Sequence, residues 1–222
     1  MMKKISVIVP VRKKEEMLDK VVNTIPKYCE IIIVTTSEEY VKSLKNKEKN
    51  FKLVKIDSSN RSDLMNAGAK LAKGEVIFFI HPDTIVDKHV FSQLQQLPNE
   101  TIGGGIDIKF DTQNIVLKII AWGSNKIRMR LFHIIYGDQC IFVKHDVFEK
   151  LNGYKSIMIF EDFEFSSRLR KCGKLVFFSS AQTSARRFIK KGILKQMLLN
   201  WYLVILYYLG VSDKNLRKLY EK

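Results

Sequence analysis

The carboxylate of Asp83 follows an apolar run of strand length, Val76–Ile80, within the stretch Gly74–Thr84. In an open α/β sheet, ligands bind just beyond the carboxyl ends of the strands, which is where this carboxylate would lie. A divalent cation that holds phosphates prefers hard oxygen ligands of this kind. Asp83 is therefore a candidate metal ligand, and the alternative is a turn at Pro82 in which Asp83 only caps a helix starting near Asp87.

A second cluster, Asn60–Ala69, is a loop that leads into a predicted helix. The amino terminus of that helix and the guanidinium of Arg61 could together hold an anion. A capped helix with a solvated arginine is the structural alternative. Only the first interpretation gives the cluster a role in binding phosphate.

Two adjacent carboxylates, Glu161 and Asp162, begin another predicted helix after the loop Gly153–Ile159. Acids at a helix amino terminus are stabilised by the helix dipole, which is reason enough for them to be there. The neighbouring Phe160 and Phe163 would also partly desolvate a carboxylate, and a desolvated carboxylate can act as a general base. We therefore treat Asp162 as a candidate catalytic base.

The first half of the chain alternates short apolar strands with amphipathic helices. The predicted strands are Ile5–Val9, which Pro10 ends, Glu30–Thr35, Lys52–Ile56 and Val76–Ile80, and the predicted helices are Glu15–Ile25, Glu38–Lys45 and Leu64–Ala72. This alternation predicts an α/β fold with a mixed, mostly parallel sheet covered by helices on both faces.

The second half is less regular. Its predicted strands are Gly103–Phe110, Gln139–Val143 and Leu175–Phe178, its predicted helices are Asp146–Leu151 and Asp162–Arg170, and the basic, apolar segment Ile115–Ile135 shows no clear period. Nothing resembles a repeat or a low-complexity linker, so one domain is the simplest interpretation.

The tail from Phe188 onward is predicted to be helical, with a break at Gly210–Ser212. Its apolar stretch Ile193–Leu209 has basic residues on both sides and contains Trp201 and tyrosines, as an interfacial membrane helix does. At this length, with polar interruptions, it is marginal for a spanning helix. The alternatives are a helix packed on the domain's own core and a helix in a homodimer.

Composition narrows the function classes. There are 38 Lys and Arg against 23 Asp and Glu, a net charge of +15, which suits an anionic partner such as a phosphorylated ligand or an anionic membrane surface. The basic residues follow no pattern of a nucleic-acid-binding motif, so we expect no nucleic-acid partner. Three widely spaced cysteines, Cys29, Cys140 and Cys172, predict free thiols, and no signal peptide is recognisable. We expect a cytoplasmic protein, with attachment to the inner face of the cell membrane as the alternative.

Five short motifs occur in a fixed order along the chain. They are Arg-x-x-x-Met-Asn-Ala-Gly-Ala at Arg61–Ala69, His-x-Asp-Thr at His81–Thr84, Gly137-Asp138-Gln139, Glu161-Asp162, and Ser184-Ala185-Arg186-Arg187. With them the chain resembles, over nearly its full length, a bacterial subgroup of family 2 glycosyltransferases, which are inverting hexosyl or related transferases of the GT-A fold. The resemblance implies a Rossmann-like GT-A domain over residues 1–187 and a helical tail over residues 188–222.

The resemblance also implies roles for individual residues. The donor, a nucleotide-diphosphate sugar, would lie against Pro10, Arg61, Asn66, Gly68, Arg186 and Arg187. Mn²⁺ or Mg²⁺ would be held by Asp83, with His81 either a weaker second ligand or a loop histidine bonded to backbone. The general base would be Asp162. The acceptor, a glycan or a lipid-linked molecule, would lie on the side of Asp138, Gln139 and Glu161.

Three departures from the family pattern leave the donor base and the metal affinity open. Arg12–Glu15 replaces the usual Asn-Glu after the first strand, Val34–Ser37 lacks the usual Asp, and His81 replaces the first acid of Asp-x-Asp. A nucleotidyltransferase would need a Gly-rich loop after the first strand, and there is none. A non-catalytic glycosyltransferase-like binding protein is the alternative from a different class.

Overall fold

The structure, a computed structural model, describes residues 2–37, 51–58 and 60–221. In these ranges eight strands form one sheet in the order β3-β2-β1-β4-β7-β6-β8-β5. The strands are β1 Ile5–Val11, β2 Glu30–Thr35, β3 Lys52–Lys55, β4 Val76–Phe79, β5 Thr84–Val86, β6 Thr101–Phe110, β7 Phe142–Lys144 and β8 Lys174–Thr183. The pairs β1–β2, β1–β4, β2–β3 and β6–β8 are parallel, while β4–β7, β6–β7 and β5–β8 are antiparallel. The prediction of a mixed, mostly parallel sheet is confirmed.

Helices cover the sheet between these strands. They are α1 Leu18–Thr24, α2 Arg61–Ala69, α3 Lys88–Gln95, α4 Ile115–Gly123, α5 His145–Lys150, α6 Glu161–Leu169, α7 Arg186–Lys191, α8 Ile193–Tyr208 and α9 Asp213–Glu221. A π-helix, Ser124–Leu131, continues α4, and a 3₁₀ turn, Gly137–Gln139, precedes β7. The helix predicted at Glu38–Lys45 lies outside the described residues.

Alternation along the central strands builds a core on each face of the sheet. In β1, Val7 and Val9 join one apolar cluster while Ile8 between them joins the other. In β2, Ile33 and Ile32 divide in the same way. Strands buried on both faces must be apolar at every position, which is why the sequence signal here is a continuous run.

Pro10 does not end the first strand, contrary to the prediction, since β1 continues to Val11 and Pro10 pairs with Val34. The carbonyl of Ile8 accepts a hydrogen bond from the backbone N–H of Ile80, so the backbone polar groups of residue 8 point toward β4. Those of residue 10, two positions further along the strand, point to the same side. The pairing of β4 with β1 ends at Ile8. No strand lies beside Pro10 on that side, so the missing N–H of proline breaks no hydrogen bond of the sheet.

The tail folds back onto the domain. It is interrupted at Gly192, where φ is +86°, as well as at the predicted break near Gly210. Leu203 in α8 and Leu216 in α9 are buried, and the rings of Phe160 and Tyr207 are 5.1 Å apart. Within the described ranges, no helix combines the length and the hydropathy that crossing a bilayer requires.

Candidate active site

The amino termini of α2 and α6 meet through one arginine. Arg61, the first residue of α2, donates from Nε to Oε1 of Glu161 at 2.5 Å and from Nη2 to Oδ2 of Asp162 at 2.8 Å. Its Nη1 lies 3.3 Å from Nδ1 of His81, just beyond the end of β4. Three of the five sequence motifs therefore converge on a single guanidinium group.

Asp162 is a buried carboxylate whose pKa is raised to about 7. Burial is the largest cause, and the neighbouring charges of Glu161 and Asp138 raise the pKa further. Arg61 and a hydrogen bond from the backbone of Gly137 act in the opposite direction. A carboxylate that is half protonated near neutral pH is suited to accepting a proton and releasing it again.

Glu164, half a turn further along α6, shows that burial alone does not raise a carboxyl pKa here. Burial would raise the pKa of Glu164 as well, but hydrogen bonds from Arg168 and Lys155 outweigh it and hold the value below its usual range. The two carboxylates of α6 are therefore displaced in opposite directions. Asp162 is the one that faces the cleft motifs.

His81 is a neutral imidazole. Burial lowers its pKa well below the usual value, and the positive charges of Arg61, Arg187 and Arg12 lower it further. Because a guanidinium can only donate, Nδ1 of His81 accepts from Arg61 and the proton is on Nε2. Nε2 is buried and has no hydrogen-bond partner among the described residues. His81 therefore takes part in the cluster without adding a charge to it.

Gly137 permits the close approach of the 3₁₀ turn to this cluster. A Cβ at this position would lie 2.2 Å from Cε1 of His81 and 2.5 Å from Oδ2 of Asp162. No other residue type fits that space without displacing one of the two side chains. Nearby, Phe160 and Cys140 hold positive φ values of 65° and 48°, a strained conformation that proteins keep mainly at functional sites.

Asp138 is the second acidic residue that faces the end of β4. Burial raises the pKa of Asp138, and the negative charge of Asp83 raises it further, although Arg128 opposes this. Its Oδ1 is buried without a hydrogen-bond partner in the described part of the chain, and the nearest cation, Arg128, is 4.0 Å away. An orphaned carboxylate oxygen beside a second carboxylate is the environment that a divalent cation would relieve.

The described residues offer carboxylates for the predicted metal but no complete set of protein ligands. Over residues 2–37, 51–58 and 60–221 there is no group of three or more His, Cys, Asp or Glu side chains able to hold a metal ion. Mg²⁺-type sites commonly use only one or two carboxylates together with substrate phosphates, and Asp83 and Asp138 would be the carboxylates available for such a site. His81 is less suited, because Nδ1 is engaged by Arg61 and Nε2 is enclosed by Gly137.

Several residues predicted to bind the donor have structural partners. Pro10 is buried in β1, and the amide of Asn66 binds the backbone N–H and C=O of Tyr154. Gly68 packs α2 against the sheet, since a Cβ there would lie 2.5 Å from Ile8. These three residues therefore support the structure around the cleft.

The remaining predicted residues divide between the cleft and its supports. Arg187 lies near Asp83 and Arg61, with its guanidinium 4.6 Å from the ring of Tyr220. Arg186 forms an exposed ion pair with Glu15. Gln139 is fully buried, and its amide accepts a hydrogen bond from Arg128 and donates one to Asn125, both in the π-helix, so it lies behind the acceptor side of the cleft.

The roles that the resemblance implies did not include Arg12, which the structure brings to the cleft as it does the predicted Arg187. Burial lowers the pKa of Arg12, and the positive charges of Arg217 and Arg61 lower it further. The pKa of Arg187 is lowered by burial and by Arg61. Guanidinium groups that repel one another in this way create a positive potential suited to an anion with several charges. A clue in the sequence was the run of basic residues directly after Pro10.

Comparison with known protein families finds a match for this chain. The model of glycosyl transferase family 2 matches residues 6–155 of the chain. No curated protein matches the chain in sequence.

Solved structures share the fold at low sequence identity. S. aureus TarS 1-349 superposes with a TM-score of 0.64 and 14% identity over 98% of this chain and 69% of that one. The mannosyltransferase PcManGT from Pyrobaculum calidifontis, in complex with GDP-Man and Mn²⁺, gives 0.63 and 11% over 83% of this chain and 57% of its own. GalNAc-T7 with UDP, GalNAc and Mn²⁺ gives 0.60 and 15% over 82% of this chain and 44% of its own. This chain therefore spans only about half the length of the last two proteins. The shared architecture confirms the predicted GT-A fold.

Proposed function

The chain belongs to glycosyl transferase family 2, and from that premise we propose that it moves a sugar from a nucleotide-diphosphate sugar to an acceptor hydroxyl with inversion at the anomeric carbon. The observation that carries the proposal is the buried carboxylate of Asp162, with a pKa of about 7, beside Arg61 and the turn at Gly137. A carboxylate that served only as a helix cap would have no need of this environment.

Asp162 is the general base in the proposed reaction. The acceptor hydroxyl gives its proton to Asp162 as its oxygen attacks the anomeric carbon. The bond from that carbon to the β-phosphate oxygen breaks, and both its electrons leave with the nucleoside diphosphate. A single displacement from the opposite face inverts the anomeric configuration. Arg61 orients Asp162 and keeps part of its population ionised at neutral pH.

The leaving group carries negative charge that the cleft is arranged to stabilise. Arg61 repels both Arg12 and Arg187 electrostatically in the protein alone, so a bound diphosphate would relieve that repulsion. Asp83 and Asp138 would hold a divalent cation against the same diphosphate. When bound, that cation supplies Lewis-acid stabilisation of the departing phosphate oxygens.

The division of the chain at residue 187 into a GT-A domain and a helical tail belongs to the same proposal. Tyr207 of α8 packs on Phe160 and Phe163, which flank the catalytic pair. The tail therefore forms one wall beside the proposed base. This contact supports a tail that contributes to the acceptor side and is not an independent appendage.

Turnover of a panel of UDP-, GDP-, CDP- and dTDP-sugars with Mn²⁺ or Mg²⁺ tests the function. We expect one donor class to be bound and consumed. Asp162→Asn should keep the fold and donor binding but lower turnover by about 10²–10⁴-fold. Glu164→Gln is the matched control, because it neutralises another buried carboxylate of α6 that does not face the cleft. Turnover by Asp162→Asn equal to that of the control would remove Asp162 as the base, and failure of every donor to bind would refute the enzyme.

A further inference from the structure

Two helical segments expose large apolar side chains to solvent. In α4 and the π-helix the exposed residues are Ile115, Ile119, Trp122, Ile127 and Leu131, with Phe132 directly after them; in α8 they are Leu194, Leu198, Trp201, Tyr202, Ile205 and Tyr208, with Leu209 after them. The tryptophans keep 59% (Trp122) and 66% (Trp201) of their surface exposed. Large apolar side chains grouped in this way mark an interaction site.

Helical spacing places each group along one side of its helix. Leu194, Leu198, Trp201, Ile205 and Tyr208 follow steps of four and three residues, so they form a continuous apolar row on α8. The opposite side of α8 buries Leu203 and Gln196 against the domain. The apolar row of α8 is therefore exposed to solvent, and the opposite side of the helix packs on the domain.

The same spacing holds in α4. Ile115, Ile119 and Trp122 follow steps of four and three residues and are exposed, whereas Leu117 and Ala121 of the same helix are buried. Each of the two helices therefore exposes an apolar row that contains a tryptophan.

Residues that flank the two segments bring them near each other at both of their ends. At one end, the rings of Phe110 and Phe188 are 5.4 Å apart, and Thr112, just before α4, lines one cavity with Ile189, just before α8. At the other end, Phe163 packs on Tyr208 at 5.8 Å.

The segment that contains α4 reaches the same ring of Phe163. Tyr136, which follows the π-helix, lies 6.3 Å from Phe163. Phe163 adjoins Asp162, so the exposed row of α8 and the chain that follows the π-helix border the acceptor side of the cleft.

The charged residues of these segments and of the chain beside them are all basic. No Asp or Glu occurs between Thr112 and Gly137 or between Ser184 and Ser212. Both segments contain exposed lysines, namely Lys118, Lys126, Lys190 and Lys195. Apolar rows with tryptophan and lysine but no acid match the chemistry of an anionic bilayer surface.

We propose that the exposed rows of α4 with the π-helix and of α8 form one docking surface for an anionic lipid bilayer. The catalytic cleft then opens toward the bilayer, so the acceptor is an amphiphile that the bilayer presents. This second statement rests on the function proposed above, whereas the docking surface does not. A second copy of the chain fits less well, because a symmetric contact would set each cationic surface against itself with no acid from either segment to pair with it.

Sedimentation with vesicles tests the docking surface without any need for activity. The probes are phosphatidylcholine vesicles with and without about one third phosphatidylglycerol. We expect the full chain to sediment with the anionic vesicles and much less with the neutral ones. Trp122→Ala and Trp201→Ala should each lower the partition coefficient by roughly tenfold, since each removes an indole ring that the bilayer would bury. Tyr28→Ala is the matched control, because Tyr28 is 53% exposed but lies outside both segments.

Three results would overturn the docking surface. One is a wild-type chain that does not sediment with anionic vesicles, and another is a loss for Trp122→Ala or Trp201→Ala no greater than for Tyr28→Ala. The third is a dimer in analytical ultracentrifugation that both tryptophan variants dissociate while vesicles are not bound, which would assign the surface to a second copy.

The acceptor class has its own readout. With a labelled donor and vesicles of a membrane lipid extract, we expect label in the organic-solvent phase, reduced in the tryptophan variants. Label only in water-soluble products would overturn the amphiphilic acceptor. A donor that is never consumed would instead refute the proposed function and leave the vesicle result standing.

Discussion

Replacing Arg61 with methionine removes the cation that forms ion pairs with both Glu161 and Asp162. Their side chains are only 4% and 7% exposed, so the substitution leaves two buried carboxylates facing each other. Breaking a buried ion pair costs about 3–5 kcal/mol, and the low end applies here because a third of the Arg61 side chain is exposed and screened. For a chain of this size, about 3 kcal/mol corresponds to a fall in Tm of about 6–12 °C.

The loss should depend on pH with a definite sign. The pKa of Asp162 is about 7 in the folded protein, above its ordinary value, so folding takes up a proton and stability falls as the pH rises toward 7. Arg61 lowers this pKa, and without it the pKa rises above 7. The variant therefore continues to lose stability above neutral pH. The difference between the two proteins should be smaller at about pH 5.5 than at about pH 8.5.

Urea unfolding of both proteins at these two pH values measures the effect. Arg168→Met is the matched control, since Arg168 pairs with Glu164 in the same helix at 2.7 Å. The pKa of Glu164 is held below its usual range, so its contribution to stability is lost only as the pH falls toward that pKa. The cost of Arg168→Met should thus be the same at both pH values. An equal or larger cost of Arg61→Met at the lower pH would refute a raised pKa for Asp162.

Three further results are expected. Asp83→Asn should weaken Mn²⁺-dependent binding of the nucleoside diphosphate in calorimetry by about tenfold or more without lowering Tm, and unchanged binding would exclude Asp83 from the metal site. Gly137→Ala should lower turnover by about 100-fold with circular dichroism preserved, because its Cβ displaces His81 or Asp162, and normal turnover would contradict that crowding. In the native protein a thiol reagent should label Cys172 and spare the two buried thiols, whose pKa values burial raises; rapid labelling of all three would show that the fold is open.

Local patterns in the sequence predict the centre of the sheet well. Glu30–Thr35 was predicted residue for residue, because a strand buried on both faces needs an uninterrupted apolar run and polar residues bound it. The prediction that Asp83 follows a strand end also agrees with β4, which ends at Phe79. In both places the physical cause of the structure lies within a few residues of the chain.

Contacts between distant segments are what the sequence does not predict. Thr84–Val86 was not predicted as a strand, yet it forms the edge strand β5 by pairing with β8, where Thr84 faces Thr183. A strand of three residues has no period to detect, and its partner lies far along the chain. The ion pair of Arg61 with Asp162 is of the same kind: the motifs named both residues, but only the fold makes them neighbours.

The contacts of Arg61 give a physical reason for a histidine at position 81 in place of the first acid of Asp-x-Asp. A carboxylate at position 81 would also have lain within reach of Arg61, but it would have been a third negative group sharing one guanidinium with Glu161 and Asp162. Its charge would have raised the pKa of Asp162 further and left less of the base ionised at neutral pH. A neutral imidazole accepts the same hydrogen bond and adds no charge. A histidine in place of the first acid of Asp-x-Asp would thus leave Asp83 as the carboxylate of this motif for the proposed metal, and it keeps the pKa of the proposed base near neutral pH.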